Sequence, residues 1–194
     1  MSDRSRARRS APRSQDSQDT DAEPELSLAI RVQSRRWRDL PDLRERVALA
    51  SRAAVSVAAR KPMDQAELSV LLTDDKRIRV VNRDWRGLDK PTNVLSFPAV
   101  PVERVAQSPV LGDLVLAYET LEREARDDGK PLADHLSHLV IHGVLHLLGE
   151  DHETTPEAER MEALEIRALA SLGIGDPYAD SEPLSSNQNP SPRS

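Results

Sequence analysis

Four short segments rich in aliphatic residues predict β-strands. In the first, 26–33, apolar and polar residues alternate, which is the pattern of a strand with one buried face. Pro98 ends the third segment, because proline cannot donate to a sheet ladder. The predicted strands are 26–33, 66–73, 94–97 and 111–117.

Five further segments have apolar residues at helical spacing. The segment after Asp74, a good N-cap residue, places Ile78, Val81 and Trp85 on one side, which predicts that all three face inward. The predicted helices are 43–60, 75–85, 119–128, 131–148 and 156–172, and 101–109 is predicted to be a loop. Strands interleaved with helices, followed by two successive helices, favour a mixed sheet covered by helices. We therefore expect an α+β domain over 26–179 with about four strands.

The predicted helix 131–148 is apolar almost all round, which is typical of a buried helix. It nevertheless carries His135, His138, His142 and His146. Buried imidazoles need polar partners, because burying an unpaired polar group is costly. A metal ion at one end of this helix would satisfy at least two of them.

Three histidines have the spacing of a catalytic metal site. His142 and His146 are four residues apart, so they share one helix face. Gly149 can end the helix and let His152 return to meet them. Three imidazoles leave one coordination position open, as in catalytic zinc sites. We expect one Zn²⁺ ion per chain, although imidazole ligands also suit nickel and copper.

The remaining histidines and acids near this motif have less specific interpretations. His135 and His138 are predicted to be core residues or supports for the ligands. Asp151 could hold the second nitrogen of a ligand histidine, or it could be a plain turn residue beside Gly149. Asp113 and Glu150 are distant candidates for a general base.

The same histidine spacing occurs in the metzincin proteases, H-E-x-x-H-x-x-G-x-x-H. Those enzymes use the glutamate after the first histidine as the general base, and here that position is Gly143. The pattern therefore indicates a metal-dependent hydrolase that lacks this base. A metalloprotease of this type remains an alternative.

A second segment, 81–98, combines cations, small polar residues and prolines. Arg86 and Lys90 flank its turn, and a guanidinium group can bind a phosphate and stabilise its charge. A solvated, charged helix end is the alternative interpretation, since Asp84 and Asp89 offset the cations.

Composition limits the possible partners and surroundings. The chain of 194 residues has a net charge of −6 and 3% aromatic residues, which argues against a surface coated for general nucleic-acid binding. It has no cysteine, so thiolate metal sites are excluded and a reducing cytoplasm is expected. No apolar run approaches the ~20 residues of a membrane span. The polar segments 1–25 and 180–194 are predicted to be disordered tails.

Three motifs resemble the YbeY family of bacterial metallo-endoribonucleases, or rRNA maturation factors. The first is N-R-D-W-R-G-L-D-K-P-T-N-V-L-S-F-P at 82–98, in which Trp85 replaces a tyrosine or phenylalanine. The second is L-G-D-L-V at 111–115, and the third is H-L-V-I-H-G-V-L-H-L-L-G-E-D-H at 138–152. The resemblance covers roughly 26–178, and the tails lie outside it.

The resemblance implies that His142, His146 and His152 are zinc ligands and that Arg86 is important for RNA cleavage. It also implies a single-strand-specific endoribonuclease that matures the 3′ end of 16S rRNA and acts in ribosome quality control. The expected partners are rRNA and the small ribosomal subunit with its associated proteins, in the cytoplasm and without DNA. The nucleophile is left open between water and the 2′-hydroxyl of the RNA. A further alternative is a non-enzymatic ribosome-associated factor with a structural zinc.

Overall fold

The structure is a computed structural model that describes residues 23–179. Within these residues the four strands are β1 (Leu26–Val32), β2 (Ala66–Thr73), β3 (Val94–Pro98) and β4 (Val110–Ala117). The five α-helices in the described part of the chain are α1 (Leu43–Val57), α2 (Asp75–Arg86), α3 (Tyr118–Asp127), α4 (Leu132–Leu147) and α5 (Thr155–Ser171). The predicted tails 1–25 and 180–194 lie outside the described residues except for 23–25, and the predicted domain limits stay a prediction.

Two short 3₁₀ helices were not predicted. Arg35–Asp39 follows β1, and Val102–Gln107 occupies most of the segment that was predicted to be a loop. Single 3₁₀ turns lack the repeated apolar spacing of an α-helix, so the sequence pattern does not reveal them.

The strands form one mixed sheet in the order β1-β2-β4-β3. The strands β1, β2 and β4 are parallel neighbours, and β3 is antiparallel to β4. Parallel neighbours require crossover connections, which the helices supply. The predicted α+β class with a four-stranded mixed sheet is confirmed.

One face of the sheet carries the main core. Alternate residues of the strands, such as Leu68, Val70 and Leu114, pack on this face with the buried sides of α1, α4 and α5. Helix α4 lies at the centre of this layer, where Leu136, Val140 and Val144 are fully buried, so the predicted burial of the histidine-bearing helix is confirmed.

The opposite face carries a smaller core under α2. Ile78 is fully buried there with Leu95 and Val115, and Val81 packs at its margin. The prediction that Trp85 faces inward is wrong, because its side chain is 75% exposed. The indole meets Phe97 edge to face, with ring centroids 5.7 Å apart, and this contact covers only part of the ring.

Glycine allows α4 to lie close to the sheet. A β-carbon at Gly143 would stand 2.7 Å from Cδ2 of Leu114 and 3.1 Å from Oγ of Ser96. The helix therefore turns Gly143 towards β3 and β4. His142 and His146 lie beside it and line a pocket that is open to solvent. Within residues 23–179, every helix is too short or too polar to cross a membrane.

Candidate metal centre

His142, His146 and His152 come together at the C-terminal end of α4. One ring nitrogen from each histidine lies within 4.8 Å of the other two. His142 and His146 turn their Nε2 atoms towards each other at 3.1 Å. His152 follows the helix, and its ring stacks on that of His142 at a centroid distance of 5.5 Å. The geometry thus gathers the three histidines that the sequence motif predicted as ligands.

The two helical imidazoles have acceptors on their Nδ1 atoms. Nδ1 of His142 lies 2.7 Å from a carboxylate oxygen of Glu165, and Nδ1 of His146 lies 3.0 Å from the carbonyl oxygen of Glu150. Both acceptors assign the proton to Nδ1, since each neutral imidazole carries one N–H. Each Nε2 atom therefore keeps its lone pair.

This arrangement fits a bound cation. Two nitrogen lone pairs that face each other at 3.1 Å repel unless a proton or an ion lies between them. Imidazole nitrogens bound to tetrahedral zinc at ~2.0–2.1 Å stand about 3.4 Å apart, close to the distance seen here. His152 is exposed, so its ring can turn towards the same point without disturbing the core.

Electrostatics keep His146 in the neutral state that a metal ligand needs. Burial first, and then the neighbouring His142 and His152, lower the pKa of His146 to about 4, although the Glu150 carbonyl and Asp151 act in the opposite direction. A neutral ring at physiological pH has a lone pair available for a metal.

Glu165 of α5 is the residue of the candidate centre that the sequence interpretation missed. It is 1% exposed, and its two oxygens lie 2.7 Å from Nδ1 of His142 and 2.7 Å from Nε2 of His138. The Tyr178 hydroxyl also donates to it. A signal existed, because Glu165 interrupts the apolar face that Met161 and Leu169 define on the same helix.

The carboxylate of Glu165 remains ionised despite its burial. Burial alone would raise its pKa, but the hydrogen bonds and charges of His138 and His142 outweigh burial and lower the pKa to about 2. The same buried carboxylate raises the pKa of Tyr178, after the larger effect of burial on that hydroxyl. A fixed anion behind His142 orients the ring and strengthens its Nε2 as a donor to metal.

The other predicted candidates have different positions. His135 binds Glu124 at 3.0 Å, and His138 supports the centre through Glu165. Asp151 lies 4.0 Å from Nδ1 of His146, which is too far for a hydrogen bond. The carbonyl oxygen of Glu150, and not Asp151, therefore holds the second nitrogen of this histidine.

Neither candidate base is free in the centre. Asp113 lies on the opposite face of the sheet in a groove with Trp85 and Phe97. The Glu150 carboxylate is 4% exposed and accepts a hydrogen bond from Arg160. Neither of the two carboxylates that the sequence suggested is therefore positioned as a general base.

The turn after α4 depends on Gly149. This residue has φ +87°, and a β-carbon there would stand 2.1 Å from Cγ2 of Val102. The backbone N–H of Glu150 donates to the carbonyl of Leu145, which closes the helix end. The turn then leads directly to His152.

Arg86 lines the same pocket as the three histidines, a cleft of about 660 Å³. It reaches the pocket from the last turn of α2, across β3, where its Nη2 donates to the Ser96 carbonyl oxygen at 3.4 Å. It forms no ion pair with the part of the chain that the structure describes. A guanidinium group so placed can bind a phosphate beside the histidines.

The pocket lacks the base of a metzincin protease. Gly143 occupies that sequence position and packs against Leu114, so no carboxylate lies there. The metalloprotease alternative is therefore not supported.

Comparison with known proteins identifies the family. The family model described as Endoribonuclease YbeY matches residues 33–173. An Endoribonuclease YbeY from a Bradyrhizobium species is 51% identical over 76% of this chain and 89% of its own length. That of Azorhizobium caulinodans is 49% identical over 79% of this chain and 97% of its own length. A Thermotoga maritima protein solved in solution aligns at 24% identity with a TM-score of 0.49, over 82% of this chain and 99% of that one.

The family match spans both the Arg86 segment and the histidine motif, which the fold brings together in one pocket. The chain belongs to the YbeY family of endoribonucleases.

Proposed function

We propose that this protein is a zinc-dependent endoribonuclease that cleaves single-stranded RNA, with His142, His146 and His152 as metal ligands. The observation that carries the proposal is the pair of Nε2 atoms, 3.1 Å apart, whose rings are each held through Nδ1. These three ligands leave a coordination position for water or substrate, as catalytic sites require.

Zinc is the proposed ion, at one per chain, because a site made only of imidazoles suits it and the chain has no thiolate to offer. When bound, the ion polarises a phosphoryl oxygen and lowers the pKa of water in its shell. The chain's own contribution is to keep His146 neutral and to orient the rings of His142 and His146.

Arg86 is proposed to bind the scissile phosphate. Its guanidinium lies in the pocket and is free of carboxylate partners among residues 23–179. A bidentate contact with the phosphate oxygens would neutralise charge that grows in the transition state. The role is a positioning and electrostatic one, since a guanidinium offers N–H donors and no acceptor.

The identity of the nucleophile determines the products. Asp113 lies outside the pocket and Glu150 is bound by Arg160, so neither carboxylate is free to act as a base. Attack by the RNA's own 2′-hydroxyl leaves a 2′,3′-cyclic phosphate, whereas direct attack by water does not. End-group analysis of the cleaved strand distinguishes the two routes.

The proposed biological setting is maturation of the 3′ end of 16S rRNA and ribosome quality control in the cytoplasm. The proposed partners are rRNA and the small ribosomal subunit with its associated proteins. Membership of the YbeY family supports this setting. The net charge of −6 fits a nuclease whose specificity comes from docking as much as from its cleft.

The direct test is cleavage of single-stranded RNA and of rRNA by the purified protein, with and without a chelator. The Arg86→Ala and His142→Ala variants are measured beside the parent, with Leu49→Ala, an exposed residue of α1, as a control for substitution itself. We expect chelator-sensitive cleavage that both site variants lose and the control keeps. Cleavage by both site variants at the parent's rate would contradict the assignment.

A further inference from the structure

A groove on the sheet face opposite the metal centre has no role in the reaction described above. Its floor is a row of three register partners on neighbouring strands, Ser69 of β2, Asp113 of β4 and Phe97 of β3. Trp85, at the end of α2, closes one side. The groove encloses about 410 Å³, which is ample for a nucleobase.

Trp85 exposes an unusual amount of aromatic surface. Its side chain is 75% exposed, whereas the only other tryptophan, Trp37, is fully buried with its indole N–H bonded to the Thr73 carbonyl. Phe97 meets the indole edge to face, so one broad face of the Trp85 ring remains open to a flat partner.

The groove continues into the metal pocket. Pro98 lines both cavities. Trp85 and Arg86 are consecutive, so their Cα atoms stand about 3.8 Å apart. One side chain enters the groove and the other enters the pocket. A strand whose phosphate lies at Arg86 therefore has its neighbouring nucleotides within reach of Trp85.

The positive charge around the groove favours a polyanion as its partner. Residues 75–90 contain six lysines and arginines against three aspartates, in a chain whose overall charge is −6. Arg79, Arg83 and Arg86 follow one another at helical spacing along α2, and the first two form exposed ion pairs with Asp89 and Asp84 that solvent screens. This stripe can track the backbone of a single strand while a base occupies the groove.

We propose that Trp85 and Phe97 form a stacking subsite for an unpaired base of the RNA strand, next to the phosphate bound by Arg86. Asp113 on the groove floor can accept a hydrogen bond from an exocyclic amino group of that base. The inference rests on the proposed function for the identity of the strand, and it adds a residue that sets where a substrate sits.

The test combines affinity with tryptophan fluorescence. Short single-stranded RNA and an abasic strand of equal length are titrated into the full-length parent, Trp85→Ala, Trp85→Tyr and Leu88→Ala, with metal and with chelator. Leu88 is 48% exposed at the same helix end, so its variant controls for loss of exposed apolar surface. Melting temperatures check that each variant is folded.

We expect RNA to quench the parent's fluorescence more than the abasic strand does, because Trp37 is buried and only Trp85 is accessible. Trp85→Ala should bind RNA about tenfold more weakly or worse, the loss expected for one stacked base. Trp85→Tyr should recover most of the affinity, and Leu88→Ala should bind like the parent.

Equal affinity of the parent and Trp85→Ala would overturn the inference and leave the exposed indole to a protein partner. Absence of RNA binding by the parent, or equal quenching by the abasic strand, would also overturn it. Binding with base-dependent quenching but without cleavage would contradict the proposed nuclease function and not this subsite.

Discussion

At the residue scale, Glu165 links the two histidines His138 and His142 on successive turns of α4 through one buried carboxylate. A buried charge is tolerated only when its oxygens are bonded, and here both are. The carboxylate fixes the proton of His142 on Nδ1 and so exposes the Nε2 lone pair. We therefore expect Glu165 to act as a positioning residue for a bound metal.

Replacing Glu165 with glutamine should weaken metal binding by about 10–100-fold, because the charge that orients His142 is lost while the size of the side chain is kept. Competition with a chromophoric chelator measures the affinity. Glu159→Gln, an exposed change on the same helix, is the matched control. Metal affinity equal to that of the parent in folded Glu165→Gln would show that the carboxylate does not support the site.

A residue's role could be predicted from the sequence when the residues that reveal it lie close together along the chain. The spacing of His142, His146 and His152 is written in one helix and its following turn, so the sequence alone placed the cluster. Glu165 comes from a different helix, and only the packing of α5 on α4 brings it there. Trp85 was predicted to be inward because its spacing matches Ile78, but the fold leaves most of that ring uncovered.

At the element scale, the α4 helix and the glycine turn that ends it decide whether His152 can return to the other ligands. Gly149 has a left-handed backbone and lies against Val102 of the second 3₁₀ helix. Gly87, which ends α2, has a similar φ of +72°, but a β-carbon there would meet nothing within 4 Å. The two glycines therefore separate backbone strain from steric crowding.

Substituting alanine at Gly87 should lower the free energy of unfolding by about 1 kcal/mol, the cost of the left-handed backbone alone. Gly149→Ala should lower it by about 2–5 kcal/mol, since overpacking against Val102 adds to that strain. Urea denaturation of the metal-free proteins measures both changes. Equal losses at the two positions would contradict the predicted contact with Val102.

Element boundaries were predictable where capping and breaking residues mark them. Asp74 accepts a hydrogen bond from the backbone N–H of Arg77 and starts α2 as expected. The first helix ends at Val57, three residues earlier than predicted. The prediction ran on to Arg60 because the residues after Val57 carry no clear helix-stop signal. The sheet order could not be predicted, since β3 pairs with β4 through contacts that no local pattern encodes.

At the scale of the whole molecule, we expect the fold to form without the metal. The main core joins the sheet to α1, α4 and α5 through aliphatic side chains, and the histidine cluster lies at its margin. An ion that binds only the native state stabilises it in proportion to the logarithm of its concentration. The structural-zinc alternative predicts instead that removal of the metal unfolds the chain.

Removal of metal by a chelator should lower the melting temperature but leave the far-ultraviolet circular dichroism of the protein unchanged. Restored zinc should raise the free energy of unfolding by about 4 kcal/mol when the free ion is about 1,000-fold above its Kd. The His152→Ala variant should melt like the metal-free parent, because the imidazole that it removes is exposed. Its melting temperature should respond little to zinc, because one of the three proposed ligands is missing. Loss of the helical signal on chelation would favour a structural metal.

The central claim is that three imidazoles bind one ion and leave a position for substrate. A crystal structure of the zinc-loaded protein tests it most directly. The predicted result is an ion bound by Nε2 of His142, Nε2 of His146 and a ring nitrogen of His152, with its remaining position facing Arg86 and free of protein atoms. An ion held by a fourth side chain, or one that leaves any of the three histidines unbound, would contradict the account.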